Sequence, residues 1–301
     1  MTRTRPASEP IRLVVVGSIG LDTIATPNAQ RRDVLGGSVT HAGAASAFFA
    51  KTGMIGVVGA DFPRRHWERY SQLGLDTAGL QQIDGKTFRW SGVYENDMNN
   101  RRTLRTDLNA LARFDPVVPP AYQPAPFLFL ANMQPTLQLR VLDQMRRPRF
   151  VAADTMDLWI RTARRDLERV LKRVDLLTLN DAEVRELTGR QNLIQAARRA
   201  LAMGPRYVAL KKGEHGAMLF TATNLTLVPA FPVDRVVDPT GAGDTFAGGF
   251  MGALARAGRA NAATIREALV VASVMASFCV ESFGPDAVAG LDRLQFQRRM
   301  K

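Results

Sequence analysis

Between Val236 and Phe250 the chain reads VVDPTGAGDTFAGGF. Two acids, Asp238 and Asp244, bracket a proline and a glycine-rich turn, and small and apolar residues follow. Glycine lets the backbone approach a ligand and adopt positive φ. If a helix begins at about Gly243, its first N–H groups and its dipole form a pocket for an anion. A carboxylate in that first turn has two readings. It can simply stabilise the helix start, by about 0.3–1 kcal/mol. It can also act as a general base, taking the proton of a hydroxyl that attacks a phosphoryl group held against the same amides. Phosphoryl transfer asks a protein mainly for alignment and charge stabilisation, so one placed carboxylate beside an N–H cradle is sufficient machinery. Asp244 is the candidate base, and Gly241, Ala242 and Gly243 are the candidate anion hole.

Other phosphate-binding patterns fail on spacing. The stretch DGKT at 84–87 would need a glycine at position 80 to be a Walker loop, and that residue is Leu80. VVVGSIG offers only Gly17 and Gly20, too few for a dinucleotide fingerprint.

The turn needs a scaffold, and the rest of the chain describes one. Apolar runs at 11–17, 54–59, 126–132, 149–156, 174–180 and 206–213 read as strands, most of them buried on both faces. Helical segments are expected at 38–53, 64–74, 135–145, 243–257 and 264–280, with a further strand pair near 222–230. Strands alternating with helices imply a mostly parallel sheet covered on both faces, which binds ligands beyond the carboxyl ends of its strands. From Leu80 the pattern changes to alternating residues around Asp84-Gly85, which reads as a hairpin in a small separate sheet. No internal repeat or long linker divides the sequence, so 1–301 is expected to be a single domain.

Lysine and arginine number 40 against 28 acids among 301 residues, a formal charge of +12. Such a balance raises nucleic acid, anionic membrane or a phosphorylated small molecule as partners. The arginines are scattered and, in RTARRDLERVLKR at 161–173, interleaved with acids as on a solvated helix face. No nucleic-acid motif accompanies them. The single cysteine, Cys279, excludes an internal disulfide, and His41, His66 and His215 lack zinc-ligand spacing. The basic N-terminus MTRTRPASEP is followed by an apolar run too short for a signal peptide. The longest apolar run, about 268–280, is too short to span a bilayer. A cytoplasmic protein is expected.

DPTGAGDTFAGGF closely resembles the second signature of the ribokinase-like (PfkB) carbohydrate kinase family. GGSVTHAGAASA at 36–47 resembles its first signature, NDAE at 180–183 its Asn-x-x-Glu motif, and LKKGEHGAML at 210–219 its nucleotide-side strand and turn. The resemblance spans nearly the whole chain. It implies a ribokinase-like α/β fold whose sheet is sandwiched between helices, with a small β-sheet lid at about 22–37 and 82–112. It implies a kinase using ATP and Mg2+, with K+ near the anion hole in many members, acting on a primary hydroxyl of a sugar or of a nucleoside such as adenosine, inosine or guanosine. By the same resemblance Asp22, Gly36 and Gly37 would hold the acceptor. Asn180 and Glu183 would organise magnesium and phosphates, Glu183 being the metal-side residue. Thr240, Lys211, Gly213 and Gly216 would face the nucleotide, and Ser273 to Ser277 would pack against adenine. A dimer through the lids is a further expectation, because open sheet edges invite pairing.

Two positions depart from the family pattern. His41 stands where an asparagine often contacts the sugar; it is either packed under the lid or part of altered acceptor recognition. Lys211-Lys212 replaces a common Thr-Leu and adds charge near the phosphates. In the lid, Trp90, Tyr94, Met98, Arg102 and Arg105 are candidates to face the acceptor. VMASFCVESFGP at 274–285 resembles nucleoside-directed members. A non-catalytic ligand-binding relative is the rival from another class; an intact Asp244 and anion hole argue against it.

Overall fold

The computed structural model describes residues 9–301, so the N-terminal stretch discussed above lies largely outside the described residues. Thirteen strands are present among them: β1 Leu13–Val16, β2 Gly20–Thr26, β3 Ala29–Gly36, β4 Thr52–Gly59, β5 Asp76–Ile83, β6 Phe88–Tyr94, β7 Arg101–Asp107, β8 Phe127–Leu130, β9 Phe150–Asp154, β10 Leu176–Asn180, β11 Tyr207–Lys211, β12 Ala217–Phe220 and β13 Leu225–Val228. Nine form one sheet in the order β13-β12-β11-β10-β9-β8-β1-β4-β5; the other four form a small sheet in the order β3-β2-β6-β7. In the large sheet every pairing from β11 to β5 is parallel, while β12 and β13 turn back antiparallel at one edge.

The continuous apolar runs follow from this arrangement. Leu13 and Val15 enter one core with Phe127, Phe129 and Phe150, whereas Val14 and Val16 enter the opposite core with Leu128, Leu130 and Val151. Alternate residues point to opposite faces, and helices cover both, so neither set can be polar.

Two sequence expectations need correction. Asp84-Gly85 does not close a hairpin. Residues 80–83 belong to β5, the edge of the large sheet, paired with β4. The chain then crosses to β6, which pairs in parallel with β2. The hairpin of the small sheet is instead β6–β7. Alternation alone does not say which sheet a strand joins. The apolar run at 268–280, expected to be too short to span a bilayer, belongs to the helix Ala262–Cys279, close to the expected 264–280. Its 18 residues and mean hydropathy of 1.5 would suffice to cross a membrane, but 67% of that window is buried inside the fold. It is a core helix.

The helix Ala242–Ala257 carries the glycine-rich signature and lies between two other helices. A Cβ at Gly248 would stand 2.3 Å from the Ala42 carbonyl oxygen, and one at Gly252 would stand 2.9 Å from Ser46 Cα. Backbone therefore meets backbone along the helix Ser38–Ala47, whose own sequence is nearly all small residues. Gly249 faces the opposite way, where a Cβ would stand 3.0 Å from Met275 of the 262–279 helix. The glycines after Asp244 thus set the depth at which the helix lies. Alanine at Gly248 would regain about 1 kcal/mol of helix propensity, so the sharper probe is Gly248→Val, whose overpacking costs about 1–3 kcal/mol or more. It is expected to lower the melting temperature by several degrees, at about 2–4 °C per kcal/mol; an unchanged melt would show that the two helices can part freely.

Candidate active site

The carboxyl ends of β8 to β11 and the start of the 242–257 helix enclose a cleft of about 790 Å3. Parallel pairing puts Asp154, Asn180 and Lys211, the last residues of β9, β10 and β11, side by side at one rim. The cleft is lined there by Asp154, Asn180, Glu183 and Lys211, across from Gly241, Ala242, Gly243 and Asp244. Gly213 and Gly216 line it beyond β11; Ser273, Ala276, Ser277 and Val280 line it along the 262–279 helix.

The turn takes the shape its sequence requires. Gly241 caps the helix with φ 77°, in the left-handed region, and a Cβ there would lie 2.3 Å from the His41 ring. Only glycine meets both demands. Thr240 N–H donates to Asp238 Oδ1 (2.9 Å), and Thr240 Oγ1 donates to the Tyr94 hydroxyl (3.1 Å), which ties β6 of the small sheet to the turn. Ala242 N–H donates to the Pro239 carbonyl (3.2 Å) and Thr245 N–H to that of Gly241 (2.8 Å). The amides left without a backbone acceptor in this first turn are those of Gly243 and Asp244. Of the three anion-hole candidates, Ala242 therefore contributes backbone to the wall, with its own N–H engaged.

Lys211 is the charge at the centre. Its ammonium donates to Asp154 Oδ2 at 2.8 Å, with the two side chains 16% and 5% exposed. A Cβ on Gly243 would stand 3.0 Å from the same nitrogen, so Lys211 reaches across the cleft to the helix start. Burial alone would lower its pKa, but Asp154 and Glu183, with a smaller contribution from Asp244, outweigh that and raise it. The lysine is held charged. Asn180 and Glu183 form a capping box: Glu183 N–H donates to Asn180 Oδ1, and Asn180 N–H to Glu183 Oε2, both at 2.8 Å. Burial pushes the Glu183 carboxyl up, Lys211 pulls it down and Asp154 pushes it up again.

Asp244 keeps part of its surface open to the cleft, yet burial is still the largest influence on its carboxyl and pushes it up to about 7. Asp154 acts in the same direction, while Lys211 and Arg101 oppose it. A carboxyl near neutrality is a better proton acceptor than an ordinary aspartate and is still largely ionised above pH 7.

The acceptor-side candidates lie deeper. Asp22 is 4% exposed, its Oδ1 lacks a hydrogen-bond partner, and burial, with help from Asp238 and Asp244, pushes it up to about 7. Its Oδ2 occupies the space a Cβ on Gly36 would need, at 2.0 Å. A Cβ on Gly37, whose φ is 93°, would stand 2.4 Å from the Ser18 carbonyl oxygen. His41 is 2% exposed beneath Gly241, with Nδ1 3.9 Å from Cys279 Sγ and Nε2 unpartnered; burial lowers it to about 4, so it is neutral. None of these four forms part of the cleft wall, whose lining begins above them. From the small sheet, Tyr94 and Met98 line the cleft, and so does Arg101, which sequence reasoning passed over for Arg102 and Arg105. Arg101 pairs with Tyr94 across the strands and therefore shares its face, whereas Arg102 pairs with Val93. Asp154 was also missed. Its signal was an acid ending a buried strand, RFVAAD, at the sheet edge where ligands bind.

An acid with a higher pKa folded than unfolded costs stability once pH passes its unfolded value of 3.8, and the cost grows until about pH 7. Asp244→Asn is therefore expected to melt above the parent at pH 8, with the gap shrinking on acidification to pH 5. A gap that widens toward acid would contradict the burial of this carboxyl.

The family model for pfkB family carbohydrate kinases matches residues 11–289. A cytidine kinase from Thermococcus kodakarensis is 30% identical over 250 residues, 81% of this chain and 88% of that relative. Among solved structures, the nucleoside kinase of Methanocaldococcus jannaschii superposes with a TM-score of 0.76 at 20% identity, over 97% of this chain and 98% of that one. A protein from E. coli assigned as a ribokinase II, solved with ATP and Mg2+, does so with a TM-score of 0.79 at 18% identity, over 96% and 99%. These structures share the fold of this chain: a large, mostly parallel sheet flanked by helices, with a small separate sheet.

Proposed function

The chain belongs to the pfkB family of carbohydrate kinases and is an ATP-dependent kinase of sugars or nucleosides, and from that premise we propose that its acceptor is a nucleoside, with cytidine the first to try. The observation that carries the chemistry is the position of Asp244: a carboxyl raised toward neutrality, on the wall of the cleft, at a helix start beside the Lys211 ammonium. The acceptor class rests on the similarity to the cytidine kinase, which covers four fifths of this chain. It favours a pyrimidine nucleoside over the purine nucleosides that the sequence alone brought forward. The cleft, about 790 Å3, is within the range of small-molecule sites.

In this reading Asp244 accepts the proton of the acceptor's primary hydroxyl as that oxygen attacks the terminal phosphorus of ATP, whose bond to the bridging oxygen breaks as ADP leaves. The amides of Gly243 and Asp244 and the Lys211 ammonium hold the charge on the phosphoryl oxygens, and Asp154 holds Lys211. Arg101 brings a second cation from the small sheet. Asp22, Gly36 and Gly37 lie behind the cleft lining, and the Thr240–Tyr94 hydrogen bond ties the small sheet to the turn. Gly213 and Gly216 border the nucleotide. Magnesium would neutralise the triphosphate. Among the described residues no three His, Cys, Asp or Glu side chains converge on a metal position, so Glu183 and Asn180 would meet the ion through water and phosphate oxygens. Potassium fits Asp238, which is fully buried, with Oδ2 lacking any partner. The outer strands β3 and β7 leave open edges, and Leu104 on β7 is 54% exposed, which supports a dimer through the small sheets.

The test is ADP release with a panel of nucleosides and sugars at saturating ATP and Mg2+, in K+ and in Na+. Cytidine or another nucleoside should give the highest kcat/KM, and a free sugar as the best acceptor would overturn the acceptor assignment. Asp244→Asn is expected to lower kcat by at least about a hundredfold while retaining ATP binding by calorimetry. Turnover near that of the parent would remove Asp244 from the role of base, and retained ligand binding with no turnover by the parent enzyme toward any acceptor would favour a non-catalytic binding protein. Gly243→Val should obstruct the cradle and lose activity with an unchanged melt.

A further inference from the structure

The geometry points to Arg299 as the residue that positions the base end of the donor site, acting through Phe231. This rests on the reading above that the part of the cleft along the 262–279 helix receives the nucleotide. Arg299 ends the short helix Arg293–Arg299, ten residues beyond the last residue matched by the family model. Its guanidinium carbon lies over two rings, 3.6 Å from the centroid of Phe278 and 4.8 Å from that of Phe231. In its plane it donates to both oxygens of Glu281, at 2.8 and 2.6 Å, and to Ser277 Oγ at 3.0 Å. The side chain is 17% exposed. A planar cation set over two rings and hydrogen-bonded to a carboxylate and a hydroxyl is held in place by several contacts at once.

What it fixes is cleft wall. Phe231 and Ser277 both line the cleft, whereas Arg299 does not. Phe231 lies in the irregular stretch between β13 and the 242–257 helix, so no secondary structure holds its ring in place. Stacking on Arg299 supplies that constraint. The serines of this wall have little to offer a base, because their protons are committed: Ser273 Oγ donates to the Pro229 carbonyl (2.9 Å) and Ser277 Oγ to that of Val274 (2.6 Å). The wall therefore meets a nucleobase through apolar contact with Phe231, Ala276 and Val280, and the placement of Phe231 sets the quality of that contact.

The experiment compares Arg299→Ala, Arg299→Lys, Phe231→Ala and the double variant Phe231→Ala/Arg299→Ala. Each is assayed for KM of ATP, KM of the acceptor and kcat, and for the inhibition constant of inorganic tripolyphosphate against ATP. Arg299→Ala should raise KM for ATP about tenfold, the loss expected of a desolvated cation–π contact. Its kcat at saturating ATP should change less than about twofold, and tripolyphosphate, which has no base, should inhibit as in the parent. Arg299→Lys should not rescue, because a compact ammonium has no planar face to lay over the Phe278 and Phe231 rings and no second nitrogen to reach Ser277 while it holds Glu281. Phe231→Ala should match Arg299→Ala, and the double variant should be no worse than either. If Phe231→Ala raises KM for ATP while Arg299→Ala does not, the role of Arg299 is overturned and the base-end reading stands. If neither changes it, the base lies elsewhere. A lowered melt with all kinetic constants unchanged would make Arg299 structural only.

Discussion

The site depends on how closely two helices approach. The helix that carries Asp244 lies with bare backbone against the 38–47 helix, because Gly248 and Gly252 remove the side chains that would hold them apart. That contact fixes the helix axis. The axis in turn fixes where the free amides and Asp244 emerge relative to Lys211 and Asp154 at the ends of β11 and β9. Packed interiors do not deform continuously, so a change of an ångström in helix depth would move the carboxyl relative to the lysine. The same logic reaches His41, which fills the space beneath Gly241 and so supports the turn from below.

Electrostatics is the second constraint. Asp22, Asp238, Glu183 and Asp244 all have carboxyls raised by burial, and Asp154 lies among them with almost no exposure. Charged groups of one sign in a shared low-dielectric space favour protonation. The ion pair of Lys211 with Asp154 counters this by placing one cation among the acids. The buried His41 is neutral and adds no charge to this balance.

The large sheet was legible in the sequence because residues such as Val14 and Val15 are both buried, one on each face, and a run with no polar position has few other interpretations. The glycine-rich signature was legible because each glycine answers a physical demand, whether positive φ at Gly241 or backbone contact at Gly248. The hairpin at Asp84-Gly85 was misread because turn chemistry is local, while membership of a sheet is settled by long-range pairing. Asp154 and Arg101 were not seen because their roles come from neighbours distant in sequence: Asp154 from Lys211, and Arg101 from the cross-strand partner that puts it on the face of Tyr94. Arg299 is the extreme case, since nothing about a terminal RRMK announces that one guanidinium will lie over two rings.

The small sheet is stitched from two distant segments of the chain. β2 and β3 enter after the first strand of the large sheet, β6 and β7 after its third in chain order, and the seam between them is the parallel pair β2–β6. Neither segment alone is more than a two-stranded ribbon, which is marginal in water. This covering element therefore cannot be transplanted, deleted or recombined as one cassette. A chimaera exchanging it with a relative must carry both pieces and their shared register.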